Sequence, residues 1–209
     1  MAQFFHVHPV NPQGRLVSQT AALLRHGGVI VYPTDSCYAL GCLARDRTAV
    51  ERIVRIRLLD PRHQMTLICR NLSDIGLYAR IDTSQFRLIK RLTPGPFTFV
   101  LKASHGAPRR LLHPKRRTIG LRVPDNAIAL AILESLGEPM LSTSLILPGG
   151  ELPETEPEKV YERLGHDVDL VIDGGPCGPE QTTVLDLTES GPAVVRQGLG
   201  STEGLFNPP

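Results

Sequence analysis

Hydrophobic positions along the chain follow two periods, and they predict strands and helices that alternate over most of its length. Continuous or alternating β-branched and aromatic runs predict strands at 4–10, 29–32, 65–70, 97–101, 118–124, 168–172, 182–187 and 193–198. Apolar residues spaced three and four apart predict helices at 15–26, 50–58, 73–78, 83–92, 126–136 and 158–164. Because some strands also follow one another directly, the pattern predicts one α/β domain with a twisted mixed sheet and flanking helices.

The stretch from 28 to 42, GVIVYPTDSCYALGC, is the segment around which the rest of the chain is predicted to be arranged. Val29 to Tyr32 form an unbroken apolar run, typical of a strand that is buried on both faces. Pro33 ends that run, and the next residues crowd hydroxyl and carboxylate groups into a turn. Ligands of α/β proteins collect where strands end, so this turn is a candidate site. The alternative is an ordinary turn whose polar side chains satisfy their own backbone.

Two further features indicate a ligand. Arg57 lies on the apolar side of the helix predicted at 50–58, where a helix that only packed would rarely carry a guanidinium, so we expect it to point at a ligand. Ser142, Thr143 and Ser144 follow one another at a predicted strand end, where hydroxyl and backbone N–H groups suit a phosphate or, equally, cap a turn.

Composition restricts the class of protein. The chain has 209 residues, 41% of them hydrophobic, and no apolar run approaches the roughly 20 residues that cross a bilayer. The first residues lack the basic flank and apolar core of a signal peptide, so we expect a cytoplasmic protein without membrane contact. Four cysteines without metal-ligand spacing predict free thiols, and no protein-held metal is predicted.

Charge is strongly segregated, although the net charge is only +2. Residues 45–122 hold 18 Lys and Arg against 5 Asp and Glu. This favours a polyanionic ligand, either a nucleotide phosphate tail or nucleic acid, unless these side chains are spread as solvated faces of several helices. The most basic run reads as a loop or hairpin rim, and its candidate RNA-binding residues are Arg109, Arg110, Lys115, Arg116 and Arg117.

An ordered series of short motifs carries a resemblance to a known family. The motifs are YPTDSCYALG at 32–41, RIR at 55–57, TPGPFTFVL at 93–101, RVP at 122–124, LSTS at 141–144, GG at 174–175, TTVLDL at 182–187 and VVRQG at 194–198. The series resembles the YrdC/YciO family, and most closely its bacterial YciO type. The resemblance implies one YrdC-like domain over 1–209, with a core at about 8–200, and a mostly parallel sheet around a concave, positively charged cavity.

The resemblance also implies an activity and a site. Members of the family form threonylcarbamoyl-adenylate from L-threonine, bicarbonate and ATP, with release of pyrophosphate, for adenosine modification in tRNA. Mg²⁺ would arrive with the triphosphate. The implied catalytic residues are Arg57 and Arg55. The implied nucleotide-binding residues are Arg55, Arg57, Ser142, Thr143, Ser144, Thr183 and Arg196, and the implied amino-acid-binding residues are Thr34, Tyr38 and Arg122.

The chain departs from the family pattern in ways that keep a second hypothesis open. Arg55 stands where the family has Lys, Ile146 where it commonly has Asn, and Arg70 where it has His. The first hypothesis is a divergent threonylcarbamoyl-AMP synthase that binds nucleotide. The alternative is a noncatalytic or weakly catalytic double-stranded RNA-binding protein that acts on tRNA or rRNA, with contacts to phosphates and duplex shape.

Overall fold

The fold is described from a computed structural model, over residues 1–60, 63–189 and 191–205, without the side chain of Arg110. Ten strands lie at β1 Gln3–His6, β2 Ile30–Tyr32, β3 Ala39–Leu43, β4 Thr66–Ile68, β5 Phe97–Lys102, β6 Thr118–Arg122, β7 Met140–Ser144, β8 Leu170–Asp173, β9 Thr183–Asp186 and β10 Ala193–Arg196. Six α-helices lie at α1 Gly14–Arg25, α2 Arg47–Arg57, α3 Leu72–Tyr78, α4 Thr83–Leu92, α5 Ala127–Leu136 and α6 Pro157–Leu164, and a 3-10 turn at Arg109–Leu111.

The strands form one sheet in the order β1-β8-β2-β3-β7-β4-β6-β5-β9-β10. The predicted α/β domain with a mixed sheet and flanking helices is confirmed. The expectation of mostly parallel strands is wrong, because five of the nine pairs are antiparallel. Strands that follow each other without an intervening crossover helix, such as β2 and β3, pair antiparallel.

Strand β2 is buried on both faces, as predicted. Ile30 and Tyr32 pack in one core cluster with Leu24 of α1 and Ile128 of α5. Val31, which points the other way, belongs to the larger cluster on the opposite face of the sheet. Because side chains alternate along a strand, this single run supplies both layers of the core.

The sequence pattern predicts a polar turn that runs from Pro33 to Gly41, and it gives no sign of strand β3, which lies partly within that range. In the structure the turn covers only 33–38, and Gly41 lies within β3 opposite Ile30. A Cβ at Gly41 would come within 2.8 Å of Cε1 in the Tyr32 ring. Glycine is therefore needed here because the buried tyrosine ring occupies the space above it.

Helix α2 begins at a side-chain cap and ends beside the sheet. The sequence offers Asp46 or Thr48 as the N-cap of this helix. In the structure Asp46 Oδ1 accepts a hydrogen bond of 2.9 Å from the backbone N–H of Ala49, so Asp46 is the cap. The helix ends at Leu58, whose backbone is left-handed with φ 47°. Arg57 is consequently the last helical residue, and the chain turns away directly after it.

No helix in the described part of the chain is long and apolar enough to span a membrane. All four cysteines are free, as predicted.

Candidate functional site

A cavity of about 230 Å³ opens on one face of the sheet, and its floor is a row of cross-strand neighbours. Ser142 of β7 lies opposite Thr66 of β4, which lies opposite Gly120 of β6, which in turn lies opposite Val100 of β5. Gly120 has no side chain, so the floor is lowest there. Small and hydroxyl-bearing residues at alternate positions of adjacent strands thus create a polar concave surface.

Three arginines from different elements reach this cavity. Arg57 comes from the end of α2, Arg122 from the end of β6 and Arg196 from the end of β10. Arg122 is neutralised, because it forms a buried ion pair with Asp35 in the turn after β2. Arg122 Nε and the second oxygen of Asp35 are buried without a hydrogen-bond partner among the described residues.

Arg57 has no counter-ion within the described residues. Its Nε is buried, and no hydrogen-bond partner for it lies in the described part of the chain. Loss of hydration lowers the pKa of Arg57, against a smaller opposing effect of Cys37. A buried guanidinium donor without a partner is unfavourable, so this group favours an anion in the cavity.

Arg196 and His63 complete the charged side of the cavity. Arg196 bonds the backbone oxygen of Thr182 through Nε at 3.1 Å and through Nη2 at 3.0 Å, and it also contacts the side chain of Gln181. Loss of hydration lowers its pKa, and the Arg122 charge lowers it further. Loss of hydration also lowers the pKa of His63, with added effects of Arg57 and Arg196.

The turn after β2 is held together by its own hydroxyl groups. Thr34 Oγ1 donates to the Cys37 carbonyl at 2.7 Å and accepts from the backbone N–H groups of Ser36 and Cys37, each at 3.2 Å. The local-turn alternative is therefore correct for this hydroxyl group, although Thr34 also lines the cavity. The turn is rigid enough to present a defined surface to a ligand.

Tyr38 anchors this turn and does not line the cavity. Its hydroxyl group donates to the Gly175 carbonyl at 2.7 Å and lies 3.3 Å from the Gly174 nitrogen. Burial raises the pKa of Tyr38, with a further contribution from Cys177. The tyrosine thus ties the polar turn to the turn after β8.

Ser142, Thr143 and Ser144 all line the cavity. Ser142 is already engaged, because its Oγ accepts from the Tyr32 hydroxyl at 2.8 Å and donates to the Leu40 carbonyl at 2.9 Å. Burial raises the pKa of Tyr32 to about 12. Thr143 and Ser144 are half-buried and are better placed to offer hydroxyl groups to a ligand. Ile146 lies outside the set of residues that line the cavity.

Seven of the ten residues implied for nucleotide and amino acid are brought together in the cavity: Thr34, Arg57, Arg122, Ser142, Thr143, Ser144 and Arg196. Arg55 is not, because residues two apart on a helix point about 200° from each other, and Arg55 is exposed to solvent. Thr183 is fully buried and bonds the Gly200 carbonyl at 2.6 Å, whereas its neighbour Thr182 lines the cavity.

The predicted basic rim connects β5 and β6. Arg109, Lys115, Arg116 and Arg117 are exposed, and Arg116 lies 3.5 Å from a carboxylate oxygen of Asp186. These four residues do not line the cavity. The side chain of Arg110 lies outside the described part of the structure.

Several cavity residues were missed in the sequence. Thr66, Thr98, Gln181 and Thr182 line the site, and so does His63. The strand period could have indicated Thr182, because it shares a strand face with Val184 and not with the buried Thr183. No sequence pattern around His63 indicates a site. This residue lies in the segment that connects α2 to β4, and the path of that segment brings it to the cavity. Within the described residues there is no group of three or more histidine, cysteine or acidic residues that could hold a metal.

Comparison with known proteins gives the family. Residues 22–198 match the family model named Sua5_yciO_yrdC and described as "Telomere recombination". The chain belongs to the Sua5/YciO/YrdC family. It is 56% identical over 203 residues to YciO of Escherichia coli strain K12, an alignment that covers 97% of this chain and 98% of YciO. The crystal structure of E. coli YciO superposes with a TM-score of 0.93 over the same shares of the two chains.

Members of the family with a named activity are more distant. A threonylcarbamoyl-AMP synthase of Halorhodospira halophila is 32% identical over 176 residues, which cover 84% of this chain and 91% of the synthase. The crystal structure of Pyrococcus abyssi Sua5 complexed with L-threonine has a TM-score of 0.85 at 28% identity, and the match covers 93% of this chain and 57% of Sua5. The family resemblance read from the motifs is thereby confirmed.

Proposed function

We propose that this protein binds ATP and L-threonine in the cavity and forms threonylcarbamoyl-AMP with bicarbonate, releasing pyrophosphate, as a step in adenosine modification of tRNA in the cytoplasm. The observation that carries the proposal is the pair of cavity arginines, Arg57 and Arg196, that no carboxylate of the described residues neutralises. The named synthases of the same family supply the reaction class.

The charge arrangement suits a polyphosphate better than a neutral ligand. Arg122 is paired with Asp35, so Arg57 and Arg196 leave an excess of two positive charges at one cavity. Guanidinium groups bind phosphate oxygens through directed, charge-assisted hydrogen bonds. A triphosphate would satisfy the buried Nε of Arg57 and offset the desolvation of that guanidinium.

The chemistry requires a positive site at the phosphates. The amine of L-threonine adds to the carbon of bicarbonate with loss of water, which gives the carbamate. A carbamate oxygen then attacks the α-phosphorus, the bond from that phosphorus to the bridging oxygen breaks, and the electron pair leaves with pyrophosphate. Arg57 and Arg196 would stabilise the charge that develops on the leaving group, and Mg²⁺ held by the triphosphate would add to this. Thr143 and Ser144 would orient the nucleotide by their hydroxyl groups.

The amino acid would lie near the turn after β2. Thr34 and Arg122 line the cavity there, and the L-threonine complex of P. abyssi Sua5 shows that a member of this family binds that amino acid. Tyr38 is a positioning residue in this proposal, since it holds the turn through Gly175 and does not reach the cavity. Arg55 and Thr183 have no role in it.

The structure supports double-stranded RNA binding less strongly than nucleotide binding. It rests on the exposed rim of Arg109, Lys115, Arg116 and Arg117, and part of that charge is offset where Arg116 approaches Asp186. Relatives of this chain in mouse, Bacillus subtilis and Halorhodospira halophila are named threonylcarbamoyl-AMP synthases, which favours the first hypothesis.

Labelled bicarbonate tests the proposal directly. The full chain is incubated with ATP, Mg²⁺, L-threonine and ¹⁴C-bicarbonate, and labelled threonylcarbamoyl-AMP is separated by chromatography. We expect product that depends on L-threonine and is lost at least tenfold in Arg57→Ala. Arg47→Ala is the matched control, because this exposed arginine of the same helix pairs with Glu51 and lies outside the cavity. Absence of product together with absence of ATP binding in the wild type would refute the proposal.

A further inference from the structure

We propose that His63 belongs to the phosphate site and takes up a proton from solvent when a polyphosphate binds between Arg57 and Arg196. The protonated histidine then supplies a third positive charge beside that ligand. The inference rests on the proposed nucleotide-binding function and extends it to a residue outside the motifs at 55–57 and 194–198 that contain the two arginines. It predicts that phosphate binding and proton binding are coupled in this protein.

The geometry places three basic side chains around one cavity. His63 precedes β4, Arg57 ends α2 and Arg196 ends β10, and all three line the same space. Arg57 and His63 lie on either side of the turn that leaves α2, whereas Arg196 comes from β10 near the far end of the chain, so no local pattern links all three. An anion that contacts both arginines therefore lies in the space onto which His63 also faces.

The protein groups around His63 disfavour its charged form. Loss of hydration lowers its pKa from the ordinary 6.5, and the charges of Arg57 and Arg196 lower it further, against a smaller opposing effect of Asp60. The other titratable or charged groups that line the cavity in the described structure are Cys37 and Arg122, and Arg122 is paired with Asp35. Loss of hydration first, and then two arginines that pair with no carboxylate of the described residues, thus favour the neutral form of His63.

A polyphosphate reverses this balance. It brings several negative charges to the two arginines, so the field at His63 changes from positive to negative and its protonated form becomes favoured. By linkage, a proton taken up on binding makes binding tighter at low pH. This advantage is lost as pH rises through the pKa of His63 in the complex.

The test uses pyrophosphate as the probe and does not require turnover. The histidine Cε1–H signals of the full chain are followed by NMR from about pH 5.5 to about pH 8, with and without pyrophosphate, which is the range in which histidine titrates. His63→Gln identifies the His63 signal. Calorimetric titration of pyrophosphate in buffers of different ionisation enthalpy counts the protons taken up.

We expect pyrophosphate to raise the pKa of His63 in the wild type, and to raise it less in Arg57→Ala. Proton uptake should fall in His63→Gln beyond what the titration of pyrophosphate itself explains. It should persist in His166→Gln, because His166 is exposed like His63 but lies outside the cavity. The Kd of the wild type should rise with pH by up to about tenfold per unit more than that of His63→Gln.

Two results would overturn the inference, and they differ in what they say of the proposed function. If pyrophosphate binds and the pKa of His63 does not change, His63 has no such role and the nucleotide site stands. If neither pyrophosphate nor ATP binds the wild type, both proposals fail together.

Discussion

Replacing Arg57 by methionine is expected to stabilise the free protein and to weaken nucleotide binding, two effects of opposite sign. Arg57 Nε is buried without a partner in the described structure, and desolvation lowers the pKa of the group. A buried unsatisfied donor costs about 1–3 kcal/mol, and methionine fills a similar space without a donor. We expect the free energy of unfolding to rise by about 1 kcal/mol, equivalent to about 2–4 °C in Tm for a chain of this size.

The same substitution removes charge-assisted hydrogen bonds to phosphate. Such bonds contribute about 1.5–3 kcal/mol, so the Kd for ATP is expected to rise by about 10- to 150-fold. Urea unfolding followed by circular dichroism gives the first quantity, and calorimetric titration with ATP gives the second. The prediction assumes that Arg57 serves ligand binding at a cost in the stability of the free protein.

Arg52→Met is the matched control from the same helix. Arg52 is paired, with Nη1 at 2.8 Å from Asp169 Oδ2 and Nη2 at 2.9 Å from the Asp167 carbonyl. Its replacement should lower the free energy of unfolding by about 1 kcal/mol, since a half-exposed pair contributes modestly. The reasoning would be refuted if Arg57→Met lost stability as Arg52→Met does, or if it bound ATP like the wild type.

Two further predictions concern the sheet beneath the cavity. Gly41→Ala should lower the free energy of unfolding by about 1–3 kcal/mol, because the added Cβ would lie 2.8 Å from the buried Tyr32 ring. Gly120→Ala should change it by less than about 0.5 kcal/mol, because the nearest atoms, in Thr66 and Thr98, are 3.7 Å from the added Cβ. Equal losses of stability in urea unfolding would contradict this prediction. Tyr32 has its pKa raised from 10.0 to about 12 by burial, so stability from its neutral form is complete below pH 10 and is lost as pH rises toward 12. The unfolding equilibrium of the wild type should therefore shift by up to about tenfold per pH unit more than that of Tyr32→Phe in this window, and equal slopes would count against the assignment.

Sequence reasoning was most successful where the decisive signal is local. The apolar run of β2, the cap at Asp46 and the position of Arg57 on the apolar side of α2 each depend on spacings of a few residues. A motif names residues without saying which face each one takes. In the structure Thr182 lines the cavity while Thr183 is buried, and Arg57 lines the cavity while Arg55 is exposed to solvent.

The sequence by itself determined the α/β class, most of the helices and strands, and the polar turn that contributes to the cavity, because hydrophobic periodicity and turn chemistry are properties of short segments. Only the tertiary structure decided that β3 is a strand, that Arg122 is neutralised by Asp35, and that His63 joins Arg57 and Arg196. These facts depend on strand order and register between segments far apart in the chain. Such pairings are selected by the packing of the whole sheet, so no local pattern contains them.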